Sequence, residues 1–326
     1  MPGKAIRSDS VNHRTTGFAM PPLGGSGLEA PSAAVHDGDT VNCQLNGNLG
    51  VRLLGIDTPE ISFQLGERSF VQLDSPLWEE FLADPLSGKW GEFPARMPMH
   101  LQARLEAATG PGAAQTHFFH ADQARIEFQR LIERDMEVMQ QGLADFGYYM
   151  NFGFEVMDRY GRLLCMLNRN QPERQIPAPR PPTYNLRLLE RGRAFPYLIW
   201  PNINPWDRPE NPEDAVIPPG GARQMAAADR ELQSVRLAVS NARQKHLGIF
   251  DMTRPLLLEP FELRNLARRS FPSRYLIDLK SESDELIHPL NYPQVALPED
   301  RLWIPQIYVP LFIEAGWKKQ AAPVVG

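Results

Sequence analysis

The chain has 326 residues, 42% of them hydrophobic and 22% charged. That is enough apolar material for a core and more length than one average domain needs. A net charge of −5 argues against a uniformly basic nucleic-acid binder, and no apolar run approaches the roughly 20 residues of a membrane span. Two cysteines, Cys43 and Cys165, are too few for a disulfide framework and read as buried free thiols. With no apolar stretch after the basic residues of the N-terminus, no secretory signal is expected, and the natural compartment is the cytoplasm.

In chain order, residues 1–32 are rich in Gly, Ser and Pro and predict a mobile arm. Residues 33–60 predict two strands, AAVHDGDTVNCQL and VRLLGI, joined by the turn NGNLG, in which Asn46-Gly47 is a strong hairpin signal. Residues 61–121 form an insert without a clean period. Its Trp78, Trp90, Phe70 and Phe93 suit either a small core or a base-stacking platform. The 3–4 spacing of Phe128, Leu131, Ile132, Met136 and Met139 predicts a helix over 122–141. His117 and His120, just before it, read as helix entry.

Strand character returns over 147–168 around the turn DRYGR. A proline-rich linker leads to a short helix at 184–192 and the strand AFPYLIW. The longest helix is expected over 221–247, stopped by Gly248. Residues 251–326 read as a small mixed module of short strands and turns. Eight arginines between Arg159 and Arg193, against Glu173 and Glu190, allow a positive face on an acidic chain.

Three segments carry chemistry: D37-G-D-T40, R52-L-L-G-I-D-T-P-E60 and D158-R-Y-G-R162. Alone, DGDT and YGR are ordinary turns. Together they supply what phosphodiester cleavage needs: cation ligands, a group to activate water, and donors for transition-state charge. Asp39 and Asp57 offer hard oxygen ligands suited to Ca²⁺ or Mg²⁺ rather than zinc. Glu60, just past Pro59, is placed to orient or deprotonate water. Arg52 and Arg162 provide planar donors that match phosphate oxygens.

These segments resemble the signature of the staphylococcal nuclease (thermonuclease) family in order and strand context. The resemblance covers residues 33–60 and 122–250. It implies an α+β fold built on a five-stranded OB-type β-barrel with about three helices, plus the insert at about 61–121 and a C-terminal accessory module at 251–326. It implies a Ca²⁺ site, with Mg²⁺ or Mn²⁺ as substitutes, formed by Asp39, Asp57 and the carbonyl of Thr58, with Asp37 as a further carboxylate. It makes Glu60 the general base, Arg52 and Arg162 the phosphate-binding arginines, and Arg159, Tyr160 and Tyr197 substrate-binding residues. Ile199 stands where the family has a third pocket aromatic, and Arg159 where it often has lysine.

The expected activity is metal-dependent hydrolysis of DNA or RNA leaving 3′-phosphate ends. The alternative is a non-catalytic OB module that binds nucleic acid or a protein partner. The insert, beginning directly after Glu60, is expected at the mouth of the site as a filter on substrates, and the C-terminal module is a candidate surface for a protein partner.

Overall fold

A computed structural model describes residues 4–9, 14–17, 19–20, 44–45, 47–66 and 68–323. Asp37, Asp39, His36, Asn46 and Cys43 lie outside the described residues. The chain divides into two compact units: residues 1–53 with 152–165, and residues 54–151 with 166–326.

In the first unit, β1 (Ile6–Asp9) pairs antiparallel with β2 (Arg14–Gly17), and β3 (Ala19–Met20) with β4 (Gln44–Leu45). Strand β5 (Gly50–Leu53) is followed, in the second unit, by β6 (Gly55–Asp57), β7 (Ser62–Gln64) and β8 (Phe70–Gln72). Two long strands, β9 (Tyr148–Met157) and β10 (Arg162–Arg169), come next. β5 runs parallel to β10 from Arg162↔Gly50 to Cys165↔Leu53, and β9 flanks β10 on its other side. The remaining strands are β11 (Phe195–Ile199), β12 (Tyr275–Asp278), β13 (Glu285–Leu286), β14 (Arg301–Ile304) and β15 (Lys318–Lys319).

The strand pairing corrects the expected five-stranded OB-type barrel. Among the described residues the strands form separate small sheets, and none closes. Closure requires every strand to be paired on both sides. The largest sheet has the order β12-β14-β11-β6, and among the described residues the outer edge of its terminal strand β12 makes only the isolated Leu276↔Ile287 bridge. β11 spends both edges in it. Phe195 to Tyr197 pair antiparallel with Asp57 to Gly55, and Leu198 and Ile199 pair parallel with Leu302 and Trp303. The second partner begins only past Pro196, which has no N–H to give a ladder. Two of the four strands therefore come from residues 251–326.

The insert, which shows no clean period in sequence, forms β7, β8, α1 (Pro76–Ala83) and α2 (Met99–Ala108). Trp78, Phe81 and Leu82 of α1 are fully buried, whereas Phe70 stays exposed. Trp78, Phe81 and Leu82 share one core with Leu258, Phe261, Leu263, Leu266, Tyr292 and Trp303 of the C-terminal segment and with Tyr197 of β11. Polar links reinforce that core. Arg104 Nη2 donates to Glu262 Oε2 at 2.9 Å, and Arg269 donates to the carbonyls of Trp90, Ser87 and Pro85.

The first long helix, α3 (Ala113–Met139), starts well before the sequence-predicted boundary. Its first turns bury Ala114, His117, His120 and Ala121, small or polar residues that give little hydrophobic signal. It is followed by α4 (Tyr184–Glu190). The helix expected over 221–247 is broken into α5 (Ala222–Ala228) and α6 (Arg230–Gln244). Asp229 takes an extended conformation, and its carboxylate accepts from Leu232 N at 2.9 Å as the N-cap of α6. The C-terminal segment adds α7 (Pro260–Ala267) and α8 (Val309–Glu314). Cys165 is buried in β10. Among the described residues no helix is long and apolar enough to cross a membrane.

Candidate functional site

In the first unit, the parallel ladder of β5 and β10 sets Arg162 opposite Gly50 and Leu164 opposite Arg52. Gly50 and Arg52 share a face by the two-residue alternation of a strand. A Cβ at Gly50 would come 3.2 Å from Arg162 Cγ, so the Arg162 side chain lies across that glycine, on the Arg52 face.

Asp158 organises the DRYGR turn. Its Oδ1 accepts from the backbone N–H of Tyr160 at 2.9 Å and of Arg162 at 3.0 Å, and its Oδ2 accepts from Arg162 Nε at 2.8 Å. Gly161 supplies the left-handed residue of the turn, with φ 76°. The half-exposed side of Arg162 flanks Tyr160, whose exposed ring also carries Arg159 at 4.9 Å from its centre. Arg159 Nη2 donates to Tyr160 Oη at 2.7 Å. Phosphate and carboxylate compete for the same guanidinium fork, so Arg162 reaches a phosphate only by sharing or leaving Asp158.

In the second unit, Asp57 ends β6 opposite Phe195 and is buried, 3% exposed. Thr58 follows, half-buried, and Pro59 turns the chain to Glu60, whose side chain is 25% exposed. The two carboxylates converge on one cation, the guanidinium of Arg264 in α7. Arg264 Nη1 donates to Asp57 Oδ1 at 3.0 Å and to Glu60 Oε1 at 2.7 Å, and Nη2 donates to Asp57 Oδ2 at 2.6 Å. Burial works against the charge on Arg264, but Asp57 and Glu60 outweigh it and hold its pKa above the ordinary arginine value.

The Glu60 backbone is pinned from the other side, because its N–H donates to His117 Nε2 at 2.9 Å. His117 is fully buried in α3. Burial, helped by the Arg264 charge, depresses its pKa to about 3, so it is neutral and accepts through Nε2. Its Nδ1, which then carries the proton, has no hydrogen-bond partner among the described residues.

Tyr197, assigned to the nucleotide pocket by the resemblance, is 9% exposed. Its ring stacks on Phe261 at 5.9 Å and tilts against Trp303 at 5.5 Å, and its Oη accepts from Arg274 Nη1 at 2.9 Å. Sequence reading missed Arg264, Arg274 and the contact made by His117. Arg264 is 204 residues from Glu60 and belongs to no motif. The spacing of His117 and His120 is a real signal of a shared helical face, but it points only to helix entry.

Among the described residues no group of three or more His, Cys, Asp or Glu side chains is placed to hold a metal ion. The described members of the calcium set also do not fit a divalent cation as they stand. Both Asp57 oxygens and one Glu60 oxygen already accept from a guanidinium. A cation ligated by Asp57 would approach that guanidinium closely. Each pair of like unit charges 4 Å apart costs about 4 kcal/mol at an effective dielectric near 20.

No protein-family model matches the chain, and no solved structure matches it. The chain is 28% identical over 172 residues to Endonuclease YhcR of Bacillus subtilis (strain 168). The matched stretch takes in 52% of this chain but only 11% of that protein, so most of the relative has no counterpart here, and the likeness is that of a distant relationship to a bacterial nuclease.

Proposed function

We propose that the chain hydrolyses phosphodiester bonds of DNA or RNA. Glu60 takes the proton of the attacking water, and Arg52 and Arg162 bind the phosphate and the charge that grows on its equatorial oxygens. The water oxygen bonds to phosphorus as the P–O5′ bond breaks, the departing 5′-oxygen takes a proton from solvent, and the product ends in a 3′-phosphate. The observation that carries this reading is the convergence of Asp57 and Glu60 on a single guanidinium. Two carboxylates from one short motif, one buried and one reaching solvent, are brought to one point, and the His117 contact fixes the backbone that carries the base. Likeness to a bacterial nuclease over half the chain supports the same reaction class.

Replacing Arg52, Glu60 or Arg162 by Ala should abolish cleavage of labelled DNA and RNA while the far-ultraviolet circular dichroism stays that of the wild type. Full activity in all three variants would refute the assignment. A second reading, a nucleic-acid-binding module without turnover, is favoured by one observation: the Arg264 guanidinium already occupies both Asp57 oxygens and one oxygen of Glu60. Retention of DNA or RNA without cleavage, with and without Ca²⁺, would decide for it.

A further inference from the structure

The C-terminal segment reaches the carboxylate motif through Arg264. α7 is held by the Glu259–Glu262 capping box and packs Phe261, Leu263 and Leu266 into the core shared with the insert. Arg264 therefore approaches Asp57 from a fixed helix rather than from a loose tail. Its guanidinium lies flat against Asp57, with Nη1 on Oδ1 and Nη2 on Oδ2, and the same Nη1 continues to Glu60. This bidentate fork is the strongest form of arginine–carboxylate pairing, and at 15% side-chain exposure it is only weakly screened.

We propose that Arg264 and a divalent cation compete for the Asp57 carboxylate, so that the C-terminal segment sets the metal affinity of the site. Asp57 cannot present its charge to both. A cation that binds there must displace the guanidinium or share the carboxylate with it against their mutual repulsion. α7, anchored beyond Arg264 by the Arg269 contacts to the insert, resists that displacement. The inference rests on Asp57 being the carboxylate a cation would use, and it stands apart from whether the chain cleaves nucleic acid.

The test is calcium titration by isothermal calorimetry on the full chain, freed of metal beforehand, comparing wild type with R264Q, R264K and the double variant R264Q/D57N. Glutamine keeps hydrogen-bonding atoms but no charge, and lysine keeps the charge without the fork. Competition predicts that R264Q binds Ca²⁺ at least tenfold tighter than wild type, that R264K gains clearly less, and that adding D57N removes the gain. Equal affinity in wild type and R264Q, including no binding by either, overturns the proposal, as does a gain in R264K equal to that in R264Q.

Should R264Q fail to fold, the wild type is read by amide hydrogen exchange across α7. Competition requires faster exchange there as millimolar Ca²⁺ is added, and unchanged exchange contradicts it. The readouts are separate from cleavage. A variant that gains calcium but cuts nothing counts against the nuclease reading alone, and a cutting enzyme whose R264Q variant gains no calcium counts against the competition alone.

Discussion

At the scale of single residues, the site joins motif residues to residues that no motif announces. Asp57 and Glu60 are legible because their chemistry is local: a strand end, a proline and two carboxylates within four positions. His117 and Arg264 are not, because their meaning is created only when α3 and α7 arrive beside that turn. His117 carries a stability prediction. Its folded pKa of about 3 lies below the ordinary value of 6.5, so the unfolded chain binds the proton first. The stabilisation from neutral His117 is complete above pH 6.5 and is lost as pH falls towards 3. At about 1.4 kcal/mol per pH unit for one proton, wild type should lose about 2 kcal/mol more than H117Q between pH 6.5 and 5 in urea unfolding. Parallel pH profiles for the two proteins would contradict the buried neutral imidazole.

At the scale of elements, the sequence locates helices and strands where an apolar period or a cap is strong, and misplaces them where burial is polar. The helix stops at Gln244, with Lys245 as its C-cap and His246 left-handed at φ 53°, before the expected Gly248, whose own role is close backbone approach. Gly248 has φ 56°, and a Cβ there would lie 2.0 Å from the carbonyl oxygen of Gly192, itself at φ 60° after α4. Left-handed backbone combined with that clash should make G248A less stable by at least about 2 kcal/mol. A thermal midpoint equal to wild type would contradict it.

The early start of α3 and the break at Asp229 are less legible, because a buried histidine and a capping aspartate look like surface residues in a hydrophobic profile. A similar case joins α3 to α4 and β10. Asp135, 2% exposed, accepts from Arg187 Nη2 at 2.6 Å and from Arg169 Nη1 at 3.3 Å. Asp135→Asn leaves two buried guanidiniums with their shared counter-charge removed, a loss of about 3–5 kcal/mol. A denaturation midpoint within error of wild type would show that the network is dispensable.

At the scale of the whole molecule, the expected barrel fails for a reason that local patterns do not carry. The strand after α4 is correctly placed in sequence, but its neighbours are decided by residues a hundred positions later, when β14 takes the edge of β11 beyond Pro196. The insert and the C-terminal segment, each without a period strong enough to assign, form one core that includes Tyr197, Phe261 and Trp303. Truncation after residue 250 should therefore abolish the cooperative thermal transition and expose dye-binding apolar surface. A truncated chain melting cooperatively at the wild-type temperature would contradict the shared core. Phosphodiester hydrolysis is read by incubating the purified full chain with end-labelled single- and double-stranded DNA and RNA in Ca²⁺, in Mg²⁺ and in chelator. Cleavage to fragments bearing 3′-phosphate is expected in at least one condition. Intact substrate in every condition, from a protein shown to be folded, would contradict it.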